Sequence, residues 1–594
     1  MIIRKLGFTR ELAILVVISL ISYCKMGISP KQIFHALKKL RILLAIMINA
    51  FISWQVYLGH SFFLMPYLWV VSIFLLIFSE LKFKQFSKHS LKNKSELALI
   101  LLLVLIAIVV IVLNYNHFRY HGDDLITAYF SSKQSFIGKL FFNPVPQNPG
   151  DWVCQFPSLY FVIQKFLLMF LGHSNLAVKL SVLPYQIIIV IFLYKILKEI
   201  FSKEAAFWGI FFYIFLAISL YFTTLGLHFI SSTAMYTVSL YFCINYFKKP
   251  QFKTAVILGI CAALAMLFYT SSYLVPIFIG LMLIFVFIRK PRRMIVRDGL
   301  VIVILFFTIL APFITVMYKN SNWYFLQRYE QVKIIDGEWS SQKSQDKKTL
   351  KEKLTVYQNN FNLSFNSLHT RGIGGHGGYN FGHLAFFDGF TLTLLFFAIG
   401  LTFHYPKRYF LVLFVVVTII ITFIAGMVLT IPPPPFHRLT LILPGLAIVF
   451  TVLLDVWQRK FPYKQSERIL LLGLMVIYCL VNFRYFRKSV SQELNPPEIE
   501  VIKEIKNNYP GRTFYIATFP GYALEKNCYF FENCYSKKIV TDYHVNILKR
   551  SDEIKTEKYV IYMTFAAEFQ EQFQTALPGA NILLLEGNRA IIWN

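Results

Sequence analysis

Long apolar stretches recur along most of this chain and constrain its fold more than any other feature. Between residues 97 and 486, runs rich in Leu, Ile, Val and Phe alternate with short links rich in Lys and Arg. A helix needs about 20 apolar residues to cross the hydrocarbon core of a bilayer. Only 15% of the residues are charged, which is too few for an ordinary soluble protein. We therefore predict a polytopic α-helical membrane protein with about 13 spans.

The positive charges indicate how the chain is oriented in the membrane. A formal net charge of +29 would suit a nucleic-acid-binding protein. However, Lys and Arg cluster in links such as 198–203, 248–250 and 289–293, as expected for cytoplasmic loops. This placement argues against nucleic acid as a partner. Counting spans from these links places two long segments, 116–175 and 318–390, on the external side of the bilayer.

The apolar runs and the change in composition divide the chain into three regions. Residues 1–96 are predicted to form N-terminal membrane anchor helices, although the run at 12–24 is short enough to lie at the interface instead. Residues 97–486 are predicted to form the main membrane domain. Residues 487–594 have a mixed polar composition, which predicts a small α/β domain placed outside the membrane by the span count.

The C-terminal region contains short runs typical of β-strands. They are 513–518, 538–541, 558–563, 582–585 and 590–593, and a helical pattern at 498–507 precedes them. Cys528 and Cys534 form a close pair there, and an extracytoplasmic compartment would permit a disulfide between them. Two cysteines alone are too few ligands for a zinc site.

Two adjacent carboxylates, Asp123 and Asp124, follow the apolar run 97–115 on the predicted external side. Nucleotide sugars are not available there, so a sugar transfer would use a sugar on a polyprenyl phosphate. The phosphate is already a good leaving group, so one carboxylate base and cations for the phosphate can suffice. Repulsion between ionised neighbours raises one pKa and makes a better base. The alternative is that the pair caps a helix, where Asp is favoured.

Four motifs resemble, in order, elements of the GT-C glycosyltransferases, a superfamily that includes protein O-mannosyltransferases and lipid A aminoarabinose transferases. His121-Gly-Asp-Asp124 is similar to the acidic element in the first external loop of that superfamily. Residues 155–160 are similar to its His-Pro-Pro-Leu-Tyr element, which opens a juxtamembrane helix. Residues 376–390 resemble the glycine-rich end of its later external loop. Residues 437–445 resemble the Arg-Tyr-Leu-Leu-Pro opening of a late span.

The resemblance implies that Asp123 is the catalytic base and Asp124 its acidic neighbour. Two departures are notable, because Phe156 stands where relatives have His or Lys, and Ser158 replaces the second proline. Cations for the donor phosphate must then come from elsewhere. The candidates for donor phosphate or substrate binding are Arg438, Arg371, His376, Tyr379, Lys133 and Lys139.

These features together predict an integral membrane protein that is an inverting glycosyltransferase with its active site on the extracytoplasmic side. A bacterial inner membrane is the expected location. It would move a hexosyl or pentosyl group from a polyprenyl-phosphate donor to a glycan, lipid or protein acceptor. We expect no required cofactor; Asp123 and Asp124 could hold a divalent cation, but no third ligand is evident. The alternatives are a lipid-linked sugar flippase or exporter, and a non-catalytic membrane assembly protein.

Overall fold

The structure is a computed structural model of the chain. It describes residues 30–78, 94–113, 122–143, 156–172, 175–289, 293–319, 324–338, 340, 349–370, 381–431, 436–460, 465–492, 507–508, 513–517, 534–536, 559–563, 579–585 and 589–593.

The described part is mainly helical up to residue 492. In chain order the helices are α1 Pro30–Tyr57, α2 Met65–Phe78, α3 Lys94–Leu113, α4 Gly122–Lys133, α5 Leu159–Leu171, α6 Asn175–Leu180, α7 Leu183–Ile200, α8 Lys203–Phe215, α9 Ala217–Thr223, α10 Phe229–Lys248, α11 Phe252–Ala265, α12 Leu274–Arg289, α13 Arg293–Lys319, α14 Tyr324–Val332, α15 Leu350–Ser367, α16 Gly389–His404, α17 Phe410–Phe423, α18 Leu443–Lys460 and α19 Gln465–Gln492.

Eight helical segments within the described ranges are long and apolar enough to cross a membrane. The pair α8 and α9, bent by 61°, would make a ninth. This confirms the predicted class, a polytopic helical integral membrane protein. Shorter apolar helices include α5, α11 and α16. The count of about 13 spans stays a prediction, because the run at 12–24 lies outside the described residues and several other predicted runs form helices shorter than a typical bilayer crossing.

Helix α10 was also predicted as a span, and it is a helix of 20 residues with an unusually polar sequence. Several of its buried hydroxyl groups donate to backbone carbonyls: Ser231 Oγ to that of His228 at 2.5 Å, Thr237 Oγ1 to that of Thr233 at 2.7 Å, and Thr233 Oγ1 to that of Thr440 at 2.9 Å. The hydroxyl groups are therefore satisfied without water.

The first two helices form a hairpin that packs against α13. Within the hairpin, Asn49 Nδ2 donates to Ser72 Oγ at 2.8 Å. Trp69 is buried, and its indole nitrogen donates to the backbone carbonyl of Ile309 in α13 at 3.0 Å. A buried indole N–H needs such a partner. The hairpin is thus bonded to the main membrane domain by a side chain in its own core.

The outer turn of this hairpin is bonded to two distant parts of the chain. Lys139 Nζ donates to the carbonyl of Gly59 at 3.2 Å, and Lys319 Nζ donates to the carbonyl of Tyr57 at 2.8 Å. Lys139 lies in the predicted first external segment, and Lys319 lies at the start of the second. The turn therefore contacts both segments.

The C-terminal strands form one mixed five-stranded sheet of order β2-β1-β3-β5-β4. The strands are β1 Thr513–Ala517, β2 Cys534–Ser536, β3 Tyr559–Met563, β4 Asn581–Leu585 and β5 Arg589–Trp593. Strand β1 pairs in parallel with β2 and β3, and β5 pairs antiparallel with β3 and β4.

Four of the five predicted strands match this sheet. The remaining strand of the sheet is Cys534–Ser536, and the predicted run 538–541 lies outside the described residues and stays a prediction. Most of the predicted helix at 498–507 and Cys528 also lie outside them. The disulfide with Cys534 and the complete α/β domain therefore stay predictions.

Candidate active site

The acid pair lies in the first turn of α4, which begins at Gly122. Asp124 is fully buried, and its Oδ2 accepts a hydrogen bond from the ammonium group of Lys179, which is also buried. The side chain of Asp123 lies outside the described residues. The helix bounds place both acids after the N-cap position, so the ion pair, and not capping, is the main interaction of Asp124.

Lys179 belongs to the short helix α6 and was not predicted as a site residue. A buried charge is stable only when it is paired and hydrogen-bonded. The sequence did carry a signal, because a lone lysine stands in an apolar run, and charges in such runs mark functional sites. The second carboxylate oxygen of Asp124, Oδ1, is buried and has no hydrogen-bond partner within the described ranges.

A hydrogen-bond network fixes α4 against α5 and the chain after α6. Ser131 Oγ donates to Gln164 Oε1 at 2.5 Å, and Gln164 Nε2 donates to Ser181 Oγ at 2.9 Å and to the carbonyl of Gly226 at 3.2 Å. The hydroxyl of Tyr160 donates to the same carbonyl at 3.1 Å. A Cβ at Gly226 would come within 2.6 Å of a backbone carbonyl oxygen, so only glycine fits there. The segment carrying the acids is therefore held rigidly.

A cluster of aromatic rings lies beside this network and surrounds His228. The ring of His228 is 4.5 Å from that of Tyr269, 4.7 Å from that of Phe156 and 5.6 Å from that of Tyr160. Burial, and next the positive charge of Arg328, lower the pKa of His228 from 6.5 to about 3. The imidazole is thus neutral at pH 7. Tyr160 lies within electrostatic reach of Asp124, which links the cluster to the acid pair.

Two arginines lie at this cluster. The guanidinium of Arg328, on α14, lies 6.0 Å from the ring centroid of Phe156. Arg438 lies within electrostatic reach of both Arg328 and Tyr269. Its Nη1 is buried without a hydrogen-bond partner among the described residues. The neighbouring His437 stacks on Phe229 with ring centroids 4.8 Å apart.

The backbone around Arg438 is supported by the second predicted external segment. A π-helical turn, Ile424–Val428, follows α17, and a Cβ at Gly426 would lie 3.2 Å from the Cβ of Arg438. The amide of Asn360, on α15, donates to three backbone carbonyls of residues 427, 428 and 430. The N–H of Ile431 donates to the carbonyl of Val332 at the end of α14, at 2.8 Å. The helix that carries Arg328 is therefore bonded to residues that precede Arg438 by a few positions in the sequence.

The two departures from the GT-C motif are explained by this geometry. Phe156 is buried, and although it is apolar, a cation lies beside it, because the guanidinium of Arg328 is 6.0 Å from its ring centroid. Ser158 stands where proline was expected, and its hydroxyl donates to the carbonyl of Phe141 at 2.7 Å. This bond ties the 3₁₀ helix Gly138–Phe142 to the start of α5, which lies within the predicted juxtamembrane segment 157–171.

The other predicted site residues are placed as follows. Lys133 is exposed, with its ammonium group 5.5 Å from the ring centroid of Tyr129. Lys139 bonds to the turn of the N-terminal hairpin. Arg371, His376 and Tyr379 lie outside the described residues. Within the described ranges, no three His, Cys, Asp or Glu side chains come together as metal ligands; the side chain of Asp123 is outside this set.

Comparison with known proteins bears on the fold. Residues 155–318 match the family model of dolichyl-phosphate-mannose-protein mannosyltransferases. The apo crystal structure of ArnT from Cupriavidus metallidurans superposes with a TM-score of 0.52 at 12% identity, covering 84% of this chain and 98% of ArnT. The chain has a GT-C fold. The structure of the same ArnT bound to undecaprenyl phosphate gives a TM-score of 0.51 at 11% identity, covering 83% of this chain and 97% of ArnT.

A more distant match is the oligosaccharyltransferase AglB from Archaeoglobus fulgidus, with a TM-score of 0.46 at 11% identity, covering 84% of this chain and 74% of AglB. No curated protein sequence matches the chain at a significant level. The resemblance to the GT-C superfamily, predicted from four motifs, is confirmed. The matched family segment contains Lys179, His228 and Phe156, but not the acid pair or either arginine.

Proposed function

We propose that this GT-C protein is a glycosyltransferase that moves one sugar from a polyprenyl-phosphate donor to an acceptor on the external side of the membrane. Its acceptor would be a hydroxyl or amine of a glycan, lipid or protein. The ArnT structure with bound undecaprenyl phosphate supports a lipid phosphate as the donor. The match to a mannosyltransferase family model supports a transferase, and does not choose between hexosyl and pentosyl groups.

One observation carries the proposal: the shielded Nη1 of Arg438 has no hydrogen-bond partner in the described part, and Arg328 lies nearby. A buried N–H donor that lacks a partner is costly, and a phosphate oxygen would accept its hydrogen bond. Arg can bind phosphate with two parallel hydrogen bonds. In this proposal Arg438 holds the donor phosphate, and Arg328 adds the second positive charge that stabilises the developing charge as the glycosidic bond breaks.

The two acids then have different roles. Asp124 is ion-paired with Lys179, so its charge is largely compensated and its repulsion of Asp123 is weaker than the sequence suggested. We propose that Asp124 positions the first turn of α4 and that Asp123 takes the proton of the acceptor. The acceptor oxygen attacks the anomeric carbon from the face opposite the phosphate, which inverts its configuration. The bond to the phosphate breaks, and polyprenyl phosphate leaves.

The proposal keeps the finer features predicted from the sequence. These are about 13 spans, an extracytoplasmic C-terminal α/β domain, a bacterial inner membrane and an active site on the external side. It requires no cofactor, although a divalent cation could bind beside Asp123. A chain of neighbouring groups runs from Asp124 through Tyr160 and His228 to Tyr269, which lies within electrostatic reach of Arg438, and this supports one continuous site.

The decisive experiment is transfer in vitro from a synthetic polyprenyl-phosphate sugar, with the purified full-length protein in nanodiscs. Asp123→Asn should lower turnover by about three orders of magnitude, because a general base contributes about 10²–10⁴-fold. Asp151→Asn changes another aspartate of the same predicted external segment and should stay active.

Full activity of Asp123→Asn would refute its role as the base. If the wild-type protein transfers no sugar but moves a lipid-linked sugar across vesicle membranes, a flippase is the correct function. If it does neither, the protein is better explained as a non-catalytic assembly factor.

A further inference from the structure

A cleft with two cationic side chains lies far along the sequence from the acid pair, at the C-terminal ends of α10 and α12. It has a volume of about 180 Å³ and is lined by Phe247, Lys248, Val286 and Arg289. Both helices run into links rich in Lys and Arg, which mark the cytoplasmic side. The proposed transferase site does not use this cleft.

Arg289 is held between two aromatic rings. Its guanidinium carbon lies 5.4 Å from the centroid of Phe247 and 5.3 Å from that of Phe410, on α17. Cation–π contacts of this kind fix the plane of the guanidinium group without using its N–H donors. The described residues place no carboxylate within ion-pair distance of Arg289. Its donors are therefore available to an anion in the cleft.

Lys248 provides the second positive charge. Its ammonium group donates to the side chain of Glu199 at 2.7 Å and to the carbonyl of the same residue at 2.5 Å. Both side chains of this ion pair are more than one third exposed. Exposed pairs contribute little to stability, and an ammonium group has three donors. An anion in the cleft can therefore share Lys248 with Glu199.

The depth of the cleft in the membrane favours a lipid. Helix α12 ends at Arg289 and belongs to a segment, Thr270–Arg289, that is long and apolar enough to cross a bilayer. Its exposed apolar side chains Ile284 and Ile288 lie on the helix face opposite Val286 and Arg289, where they face lipid tails. The cleft therefore lies at the level of the phospholipid headgroups, where lipid phosphates are always present.

We propose that this cleft binds an anionic phospholipid of the cytoplasmic leaflet. The lipid phosphate lies between Arg289 and Lys248, and the acyl chains extend into the bilayer. Basic clefts between membrane helices on the cytoplasmic side bind such headgroups. The lipid fills the cleft between α10, α12 and α17 and stabilises their packing.

The test is lipid retention by the full-length protein, measured by native mass spectrometry after titration with phosphatidylglycerol or phosphatidylcholine. The double variant Lys248→Gln/Arg289→Gln should bind phosphatidylglycerol about thirtyfold more weakly, since each basic residue contributes about fivefold. The control Lys249→Gln/Arg293→Gln removes the same charge from neighbouring basic residues outside the cleft lining. It should retain the preference for phosphatidylglycerol.

Equal losses in the two double variants would overturn the proposal, because they would show general attraction to the basic face. Displacement of the lipid by millimolar inorganic phosphate would also overturn it, in favour of a soluble anion. If the double variant does not fold, the lipid retention of the single variant Lys248→Gln provides the test. Its side chain is exposed, and it should weaken retention about fivefold, whereas unchanged retention contradicts the proposal.

Discussion

Replacing Lys179 with glutamine tests whether the buried ion pair holds the active-site helix. Asp124 and Lys179 are 0% and 1% exposed, so the variant leaves a buried carboxylate without its counter-ion. Removing one partner of a buried pair costs about 3–5 kcal/mol of unfolding free energy. Lys198→Gln is the matched control, because Lys198 pairs with Glu96 but both side chains are partly exposed. That pair should contribute at most about 1 kcal/mol.

The assay is a double-mutant cycle. Unfolding free energies would be measured by denaturant titration for the wild type, Lys179→Gln, Asp124→Asn and the double variant. The double variant should be less destabilised than the sum of the two single variants, because it leaves no unpaired charge. Transfer activity measured on the same four proteins separates the roles of Asp123 and Asp124. The double variant should keep part of the wild-type turnover, because Asp123 is unchanged in it.

Two results would refute the reasoning. A Lys179→Gln variant no less stable than Lys198→Gln would show that the pair is not formed in the protein. Loss of all activity in the folded double variant, with stability intact, would show that Asp124 takes part in the chemistry directly and does not only position α4.

Three further predictions follow from the site. Arg438→Gln should raise the KM for a polyprenyl-phosphate donor about 30- to 150-fold, because charge-assisted hydrogen bonds contribute about 2–3 kcal/mol, and an unchanged KM would exclude the phosphate contact. The folded pKa of His228 is depressed to about 3, so the unfolded chain gains a proton first as the pH falls below about 6.5. Between pH 8 and pH 5 this residue should lower the unfolding free energy by about 2 kcal/mol, and His228→Phe should flatten that dependence in denaturant titrations. Gly226→Ala should cost about 1–3 kcal/mol, read as a lower Tm, because its Cβ would press on a carbonyl oxygen.

The membrane class and most of the C-terminal strands could be predicted from sequence, because both depend on local apolar patterns. The sequence also made Arg438 a candidate, since it opens an apolar run next to His437 at the predicted external end. Lys179 carried a signal as a lone lysine in an apolar run, but its pairing with Asp124 comes from tertiary packing. The approach of Arg328 to Phe156 has the same origin and left no sequence signal. Arg328 is distant in sequence from Phe156, yet its guanidinium lies over that ring.

The number of spans depends on more than the apolar pattern. Hydropathy measures length and polarity, but it does not distinguish a spanning helix from a short buried one such as α11. It also gives little warning that the apolar run after residue 204 bends by 61° between α8 and α9. Such a bend depends on the residues that pack around the break. A hydropathy average along the sequence contains no information about them.

The outer turn of the first hairpin has a practical consequence. It receives one lysine from each of the two long segments that carry the candidate site. A truncated protein starting near residue 94 would therefore keep its candidate catalytic residues. It would lose the hairpin turn to which Lys139 and Lys319 both donate hydrogen bonds. Minimal versions for crystallography or engineering should retain the hairpin, even though none of its residues belongs to the proposed chemistry.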